Sequence, residues 1–292
     1  MAKVSDYYDA VAGDYFRQYQ RSNLHTSDEY PANYFRLQIL VQRIARADLK
    51  SVYEVGVGGG TPLAAMAAMG LAVAGCDISD AMVRAARETF ARHGLDADLI
   101  RWGDIEDAST FAAQLKERKF DAVIAAGVLP HIRNDGLALD NIGMIVRSGG
   151  RVLIEFRNKL FSLFTLNRLT KEFILDDLLA GVRPAVKDAV AQELNRRLAV
   201  DLPPKRTHVE GGGPGYDAIL SRFHNPFELL DLFKSHGYRD PTIHWYHYHA
   251  APPMLEGALG TEFRAAAMAL EHEGSWRGWF LCSAGVIEAV RE

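Results

Sequence analysis

The sequence of 292 residues has few cysteines and no long apolar run. Its two cysteines, Cys76 and Cys282, each lie within an apolar segment, so neither a disulfide scaffold nor a cysteine-rich metal site is expected. No run of about 18 apolar residues is present, which argues against a membrane-spanning helix. The first residues, MAKVSDYYDAVAGDYF, lack the apolar centre of a secretory signal. Together these absences predict a cytoplasmic protein with reduced cysteines.

The chain also lacks a strong excess of charge of either sign. It has 33 basic and 37 acidic residues, a formal net charge of −4, and 48% hydrophobic residues, which excludes the disordered and collagen-like classes. No basic stripe interleaved with aromatic residues is present, so a nucleic-acid partner is not expected. The sequence leaves open whether the protein is a monomer or a homodimer.

Residues 51–157 alternate between short apolar runs and helical stretches. The predicted strands are SVYEVGV, LAVAGCDI, DLIRWGD, FDAVIAAGV and RVLIEF, and the predicted helices lie near 62–69, 80–93, 109–117 and 136–146. Such alternation predicts an α/β fold whose parallel sheet is covered by helices on both faces. The pattern resumes after Asn225 with a helix, a strand over 241–249, a helix near 258–272 and a closing strand over WFLCSAGVIEA. Two terminal strands suggest an antiparallel edge on this sheet.

We therefore divide the chain into three parts. Residues 1–50 are predicted to form a helical N-terminal lid segment, residues 51–157 and 225–292 the core, and residues 158–224 an inserted helical cap. Between Arg157 and Arg206 there are ten basic and six acidic residues, an excess of +4. This excess has two interpretations, which are solvated helix faces or a positively charged entrance for an anionic substrate.

The segment VYEVGVGGGTP at 52–62 runs from a strand through four glycines into a helix, with Thr61 predicted as its N-cap and Pro62 as its first residue. Because glycine has no Cβ, a nucleotide-type ligand can lie against such a loop at the helix N-terminus. The dinucleotide motif G-x-G-x-x-G would need glycine at Thr61, and no lysine follows as a P-loop requires. Instead Glu54 precedes the glycines, and Asp77 and Asp104 end the next two predicted strands. A carboxylate before the loop suits a cationic amino group better than a pyrophosphate.

These segments resemble the ordered motifs of class I S-adenosylmethionine-dependent methyltransferases of the small-molecule type. The resemblance is carried by EVGVGGG at 54–60, GCDIS around Asp77, Gly-Asp-Ile at 103–105 and FDAVIAAGVLPHI at 120–132. It implies a Rossmann-like fold with a seven-stranded, mostly parallel sheet and an antiparallel terminal strand. It also implies S-adenosyl-L-methionine as cofactor and a small-molecule acceptor.

The resemblance further implies roles for individual residues. Glu54 would help to hold the amino group of the cofactor, Asp77 the ribose hydroxyls and Asp104 the adenine N6. The segment YYDAVAGDYF resembles the tyrosine-bearing helix that closes over the cofactor, with Tyr15 as the contact. The cofactor-binding residues implied are Tyr15, Glu54, Gly56, Gly58, Asp77, Ile78, Met82, Asp104, Ile105, Gly127 and Val128.

His131, just after the fourth predicted strand, is the candidate general base, because a hydroxyl acceptor must lose a proton during methyl transfer. The alternative interpretation is that His131 only caps a helix or lines the cofactor pocket. The residues expected to contact the acceptor are Arg157, His208, Tyr216, Arg222, His224 and His247. Whether oxygen, nitrogen or carbon receives the methyl group stays open.

Strand alternation predicts that Trp245, His247 and His249 share one face. This face could form part of an acceptor pocket or pack at a sheet edge, and no acidic residue completes a metal site there. Two alternative functions remain. One is methylation of RNA or protein, although GVLPHI stands where a nucleobase amino-methyltransferase would carry Asn/Asp-Pro-Pro-aromatic. The other is cofactor binding without methyl transfer.

Overall fold

The computed structural model describes residues 3–8, 30–111, 119–198, 207–208, 213–271 and 274–292. Within them the chain forms a seven-stranded sheet with the order β3-β2-β1-β4-β5-β7-β6. The strands are β1 (Ser51–Val55), β2 (Ala72–Asp77), β3 (Ile100–Trp102), β4 (Phe120–Ala125), β5 (Val146–Arg157), β6 (Tyr238–Tyr248) and β7 (Cys282–Arg291). The predicted seven-stranded, mostly parallel sheet is thereby confirmed.

Helices flank the strands along the chain. They are α1 (Ala32–Ala45), α2 (Thr61–Ala68), α3 (Asp80–Arg92), α4 (Asp135–Ile145), α5 (Ser162–Thr165), α6 (Arg168–Glu172), α7 (Pro184–Arg197), α8 (Pro226–Ser235), α9 (Glu256–Leu259), α10 (Thr261–Leu270) and α11 (Gly278–Leu281). A π-helical segment, Phe173–Leu178, follows α6, and residues 4–8 are helical. Much of the helix predicted near 109–117 lies outside the described residues. No helix among those described is long and apolar enough to cross a bilayer.

The strand directions determine where a site can form. Strands β1 to β5 pair in parallel, whereas β7 is antiparallel to both β5 and β6. The antiparallel strand is therefore one position in from the edge, and β6 runs in the same direction as β5. The carboxyl ends of β1, β2, β4, β5 and β6 consequently lie along one edge of the sheet, which is where open α/β sheets bind ligands.

Apolar layers cover both faces of the sheet. Leu139 of α4 and Phe233 of α8 belong to the core on one face, and Leu40 of α1 and Leu63 of α2 belong to the core on the other. All four side chains are almost completely buried. This two-sided burial explains why the central strands are continuous apolar runs rather than alternating ones.

Two local predictions were wrong. Gly60, and not Thr61, is the N-cap of α2, and its left-handed backbone (φ 80°) joins the glycine loop to the helix. A Cβ at Gly60 would lie 3.1 Å from the Ala86 Cα of α3, so glycine is also needed for close helix packing. The single face predicted around His247 is interrupted, because its backbone is left-handed (φ 62°). Trp245 packs against Phe156, whereas His247 stacks on Tyr30.

Candidate active site

A cavity of about 450 Å³ lies at the carboxyl edge of the sheet. Nine of the predicted cofactor-binding residues line it: Gly56, Gly58, Asp77, Ile78, Met82, Asp104, Ile105, Gly127 and Val128. His131 lines it as well, together with Tyr8 from the N-terminal helical segment and Leu220 from the end of the insertion. The cavity thus joins the motif residues of four strand ends to two segments that are far away in sequence.

The backbone conformation of the glycine loop requires glycine at two positions. Gly56 and Gly58 both have left-handed backbones (φ 71° and 52°), and a Cβ at Gly56 would lie 2.3 Å from the Val128 Cγ2 atom. Asp77, at the end of β2, accepts hydrogen bonds from the backbone N–H groups of Gly58 and Ser79, both at 2.9 Å. A carboxylate oxygen can accept more than one hydrogen bond, which suits this acid to ligand hydroxyls. The loop and the acid are therefore fixed relative to each other.

Glu54 is buried at the end of β1, with 1% of its surface exposed. Burial raises the pKa of its carboxyl well above the usual value, and the negative charge of Asp77 acts in the same direction, while Arg36 opposes both. The Glu54 Oε2 atom makes no hydrogen bond among the described residues. A buried carboxylate oxygen without a donor is costly unless a cation or donor reaches it. Glu54 does not itself line the cavity, but the adjacent Val55 and Gly56 do.

The sequence analysis did not single out Arg36 of α1, which is buried beside this site. Its Nη1 atom lies 3.6 Å from the Glu155 Oε2 atom, and Glu155 accepts a hydrogen bond of 2.6 Å from the Gly127 N–H. Arg36 shares the buried face of α1 with Leu40 and Ile44. An arginine at i, followed by leucine at i+4 and isoleucine at i+8, was the signal that could have revealed it, since arginine is seldom buried without a partner.

His131 ends the 3₁₀ turn Leu129–His131 that follows β4. Its Nδ1 atom lies 2.6 Å from the Leu220 carbonyl oxygen, which can only accept, so Nδ1 carries the hydrogen. The Nε2 atom is then the acceptor, and the Tyr8 hydroxyl donates to it at 2.9 Å. Burial lowers the pKa of His131 and the charge of Arg157 lowers it further, with Leu220 and Glu155 opposing. The imidazole is therefore neutral at pH 7 with a defined tautomer.

Tyr8 is the N-terminal tyrosine that contacts His131 in the described part of the chain, and the predicted cofactor contact of Tyr15 stays a prediction. Tyr15 lies outside the described residues. The Tyr8 ring contacts the His131 ring edge-on, with 5.6 Å between their centroids. Tyr8 belongs to the tyrosine-rich segment that the sequence analysis singled out, but the sequence did not indicate which of its tyrosines would contact His131.

Two predicted acceptor residues lie next to His131. The Tyr216 ring is 5.9 Å from the His131 ring between centroids. The Arg157 guanidinium carbon lies 4.6 Å from the centroid of the same Tyr216 ring. Neither residue lines the cavity described above. They extend the site from His131 toward the end of β5.

The other predicted acceptor residues have different surroundings. Arg222 donates to both carboxylate oxygens of Asp135, at 2.8 and 2.7 Å, and to the Ile132 carbonyl at 2.8 Å. His224 is buried, with its Nε2 atom 3.4 Å from the same Asp135 carboxylate. His208 is exposed and forms an isolated bridge with Pro214. None of these three lines the cavity, nor does His247.

Arg222 and His224 instead anchor a short part of the insertion, residues 220–224, which is here called the strap. They attach it to the residues on both sides of His131 and to the end of β5. The Arg222 N–H donates to the Pro130 carbonyl at 2.9 Å, and the His224 N–H donates to the Arg157 carbonyl at 2.7 Å. The strap also contains Leu220, whose carbonyl determines the tautomer of His131. The Arg222–Asp135 pair therefore supports the geometry of His131 from a distance.

Substitution of Arg222 by glutamine should loosen the strap. A half-buried bidentate pair contributes about 1–3 kcal/mol to stability, so we expect a loss of this size in chemical denaturation. The ¹⁵N signals of the His131 ring should also shift toward a mixture of tautomers. Arg168→Gln is the matched control, because its i, i+4 pair with Glu172 has a more exposed carboxylate than Asp135 and contributes only about 0.5 kcal/mol. Unchanged His131 signals in Arg222→Gln would contradict this role of the strap.

Part of this chain is similar to known methyltransferases. Residues 53–152 match the family described as a methyltransferase domain. The ubiquinone biosynthesis O-methyltransferase of Aromatoleum aromaticum is 31% identical over 147 residues, which is 50% of this chain and 61% of that protein. The corresponding protein of Leptothrix cholodnii is 27% identical over 164 residues, which is 56% of this chain and 68% of that protein. The match thus spans about three fifths of the first of these relatives.

Solved structures show the same fold over the whole chain. The putative methyltransferase of Haloferax volcanii in complex with the Trm112 methyltransferase activator gives a TM-score of 0.53 with 16% identity, covering 99% of both chains. Magnesium protoporphyrin IX methyltransferase from Synechocystis PCC 6803, solved with bound S-adenosylhomocysteine, gives 0.53 with 15% identity, covering 99% of this chain and 98% of that one. The chain therefore contains a methyltransferase domain over residues 53–152, and its fold is that of the solved methyltransferases.

Proposed function

We propose that the protein transfers the methyl group of S-adenosylmethionine to a hydroxyl group of a small molecule. The observation that carries this proposal is the neutral His131 imidazole, whose Nε2 atom is an acceptor at the end of the cofactor-sized cavity. A hydroxyl must lose its proton to become a good nucleophile, and an imidazole of this kind can take it. The similarity to O-methyltransferases of ubiquinone biosynthesis supports a hydroxyl acceptor.

The residues present fit the cofactor. The unsatisfied Oε2 atom of buried Glu54 matches the cationic amino group of its methionine part. The glycine loop leaves no room for a Cβ at Gly56 and admits close approach of a ligand. Asp77 would accept from the ribose hydroxyls, and Asp104 with Ile78 would lie along the adenine. The bound cofactor supplies a methyl group already activated by its sulfonium charge.

The work left to the protein is therefore to orient the acceptor and take its proton. In the proposed mechanism the acceptor hydroxyl gives its proton to the Tyr8 hydroxyl, which passes its own proton to the Nε2 atom of His131. Direct transfer to Nε2 requires that Tyr8 first gives up its hydrogen bond to this atom. The Leu220 carbonyl, which accepts from Nδ1, then stabilises the imidazolium that forms. Proton transfer of this kind contributes about 10²- to 10⁴-fold to the rate.

The N-terminal helical segment also limits the access of water. Lys3, Val4, Ser5 and Tyr8 all line the cavity. A wall at this position keeps bulk water away from the reacting groups, which strengthens the electrostatic interactions inside the site.

We further propose that the protein acts in the cytoplasm, as a monomer or homodimer, without a nucleic-acid partner.

Calorimetric titration of the wild-type protein with S-adenosylmethionine and S-adenosylhomocysteine tests this proposal, with NAD as the control. We expect one site per chain with micromolar affinity for the first two ligands and no signal for NAD. Transfer of a radioactive methyl group to a panel of catechols and simple phenols would then identify the reaction. Binding of NAD but not of S-adenosylhomocysteine by the folded protein would refute the proposed function.

A further inference from the structure

We propose that Arg157, Tyr216 and Ser221 form a subsite, here called the anion subsite, that binds a carboxylate or phosphate group of the acceptor next to His131. This inference rests on the proposed function and specifies the class of acceptor. The acceptor is then a planar molecule that carries both a hydroxyl group and an anionic group.

The guanidinium of Arg157 is held by stacking rather than by ion pairing. Its central carbon lies 4.6 Å from the centroid of the Tyr216 ring. Its Nη1 atom donates to the Ser221 hydroxyl at 3.4 Å, a long hydrogen bond, and that hydroxyl lies 3.0 Å from the Tyr216 hydroxyl. The Tyr216 ring lies over the guanidinium, and only one of the guanidinium N–H groups has a hydrogen bond to a side chain among the described residues. An arginine fork of this kind is suited to bidentate recognition of a carboxylate or phosphate.

Arg157 differs from neighbouring arginines in having no acid of its own. Among the described residues, no carboxylate oxygen lies within 4.0 Å of its guanidinium nitrogens. Arg222 holds Asp135 through two hydrogen bonds. Glu155, two residues before Arg157 on β5, contacts Arg36 and the Gly127 N–H instead. A half-buried cation without a counter-charge favours the binding of an anion.

The position of Arg157 connects the anion to the reaction. The Tyr216 ring contacts both the Arg157 guanidinium and the His131 ring. The Tyr7 ring packs edge-on against the Tyr216 ring, with 5.6 Å between their centroids. An aromatic cluster of this kind can pack against the ring of a planar acceptor. A hydroxyl that reaches His131 on one side of such an acceptor would leave an anionic substituent on another side near Arg157.

An anion bound at Arg157 would also make His131 a stronger base. The charge of Arg157 lowers the pKa of His131, so a bound anion that neutralises this charge should raise it. The other charged group that acts on His131 is Glu155, which opposes Arg157 and is already paired with Arg36. The base therefore becomes more effective when an anionic acceptor occupies the site.

The test measures ligand affinity in protein saturated with S-adenosylhomocysteine. The probes are 3,4-dihydroxybenzoate, 2-hydroxyphenyl phosphate and the neutral 3,4-dihydroxybenzamide. In the wild type we expect at least one anion to bind about tenfold more tightly than the amide, as one charge-assisted hydrogen bond would provide. The anion that binds more tightly identifies the group that the subsite prefers. The ¹⁵N-detected pKa of His131 should rise when this anion binds.

Variants show whether the preference for an anion depends on Arg157 itself or on the loss of any positive charge from the protein. Arg157→Gln should reduce the preference for the anion to about twofold or less, whereas Arg157→Lys should keep part of it. Arg168→Gln, which removes an arginine of the insertion that is already paired with Glu172, should bind all probes as the wild type does. S-adenosylhomocysteine binding confirms that each variant is folded.

The outcomes also separate this inference from the proposed function. Failure of the wild type to bind S-adenosylhomocysteine would refute the proposed function. Normal S-adenosylhomocysteine binding without any preference for an anion, or with a preference that persists in Arg157→Gln, would refute the anion subsite alone. Absence of binding by every probe up to millimolar concentration would count against it in the same way.

Discussion

Replacement of His131 by asparagine should lower the kcat for methyl transfer by about 10²- to 10⁴-fold, the range that general-base catalysis contributes. Asparagine keeps a polar side chain at this position but has no group that accepts a proton. The affinity for S-adenosylmethionine should change little, because the predicted cofactor contacts come from other residues that line the cavity. Steady-state kinetics and calorimetry on the same sample measure both quantities.

The pH profile distinguishes a base from a residue that only supports the fold. The pKa of His131 is lowered, chiefly by burial, so the unprotonated base predominates at neutral pH. The wild-type kcat should therefore be constant near pH 7 and should fall as the pH drops through this lowered pKa, below the ordinary value of about 6.5. His131→Asn should lose this acidic limb. An unchanged acidic limb in the variant would exclude His131 as the base.

Tyr8→Phe is a second variant for the same experiment, and it shows whether Tyr8 positions His131 or relays the proton. It removes the hydroxyl that donates to the His131 Nε2 atom at 2.9 Å but keeps the ring that packs edge-on against the imidazole. If Tyr8 only positions His131, kcat should fall by about tenfold and the acidic limb should remain, since the loss corresponds to one hydrogen bond. If Tyr8 relays the proton, its loss should approach that of His131→Asn.

Local sequence patterns were sufficient to predict most of the residues that line the cavity on its cofactor side. Nine of the predicted cofactor-binding residues line one cavity because most of them lie at or just after the end of one of four strands, and parallel strands bring their carboxyl ends to one edge. Gly56 and Asp77 illustrate this, since their motifs lie within short segments whose strands could be read from apolar runs. Whether these residues contact the cofactor stays a prediction.

Contacts between distant segments could not be predicted in the same way. Tyr8 and His131 are separated by 123 positions, and Arg222 and Asp135 by 87. No periodicity links such pairs, because their approach depends on how the insertion and the N-terminal segment pack on the finished sheet. The antiparallel strand β7 is a further case, since its place between β5 and β6 follows from tertiary pairing and not from its own residues.

Replacement of Asp77 by alanine should weaken the binding of S-adenosylmethionine and S-adenosylhomocysteine by about 100-fold. Two hydrogen bonds from ribose hydroxyls to a carboxylate account for a loss of this size. Because both ligands contain the same ribose, their affinities should fall together. Asp80→Ala, three residues further on in the first turn of α3, is the control and should reduce affinity less than about threefold.

Asp77 also accepts hydrogen bonds from the Gly58 and Ser79 N–H groups, so its removal could act through the loop instead of through the ribose. A cycle that varies the ligand as well as the protein separates the two effects. With the wild type, adenosine should bind more tightly than 2′,3′-dideoxyadenosine, and with Asp77→Ala the two should bind equally. If the variant weakens the dideoxy compound as much as adenosine, Asp77 supports the loop and does not hold the ribose, because a residue that binds the hydroxyls cannot affect a ligand that lacks them unless the loop itself has changed.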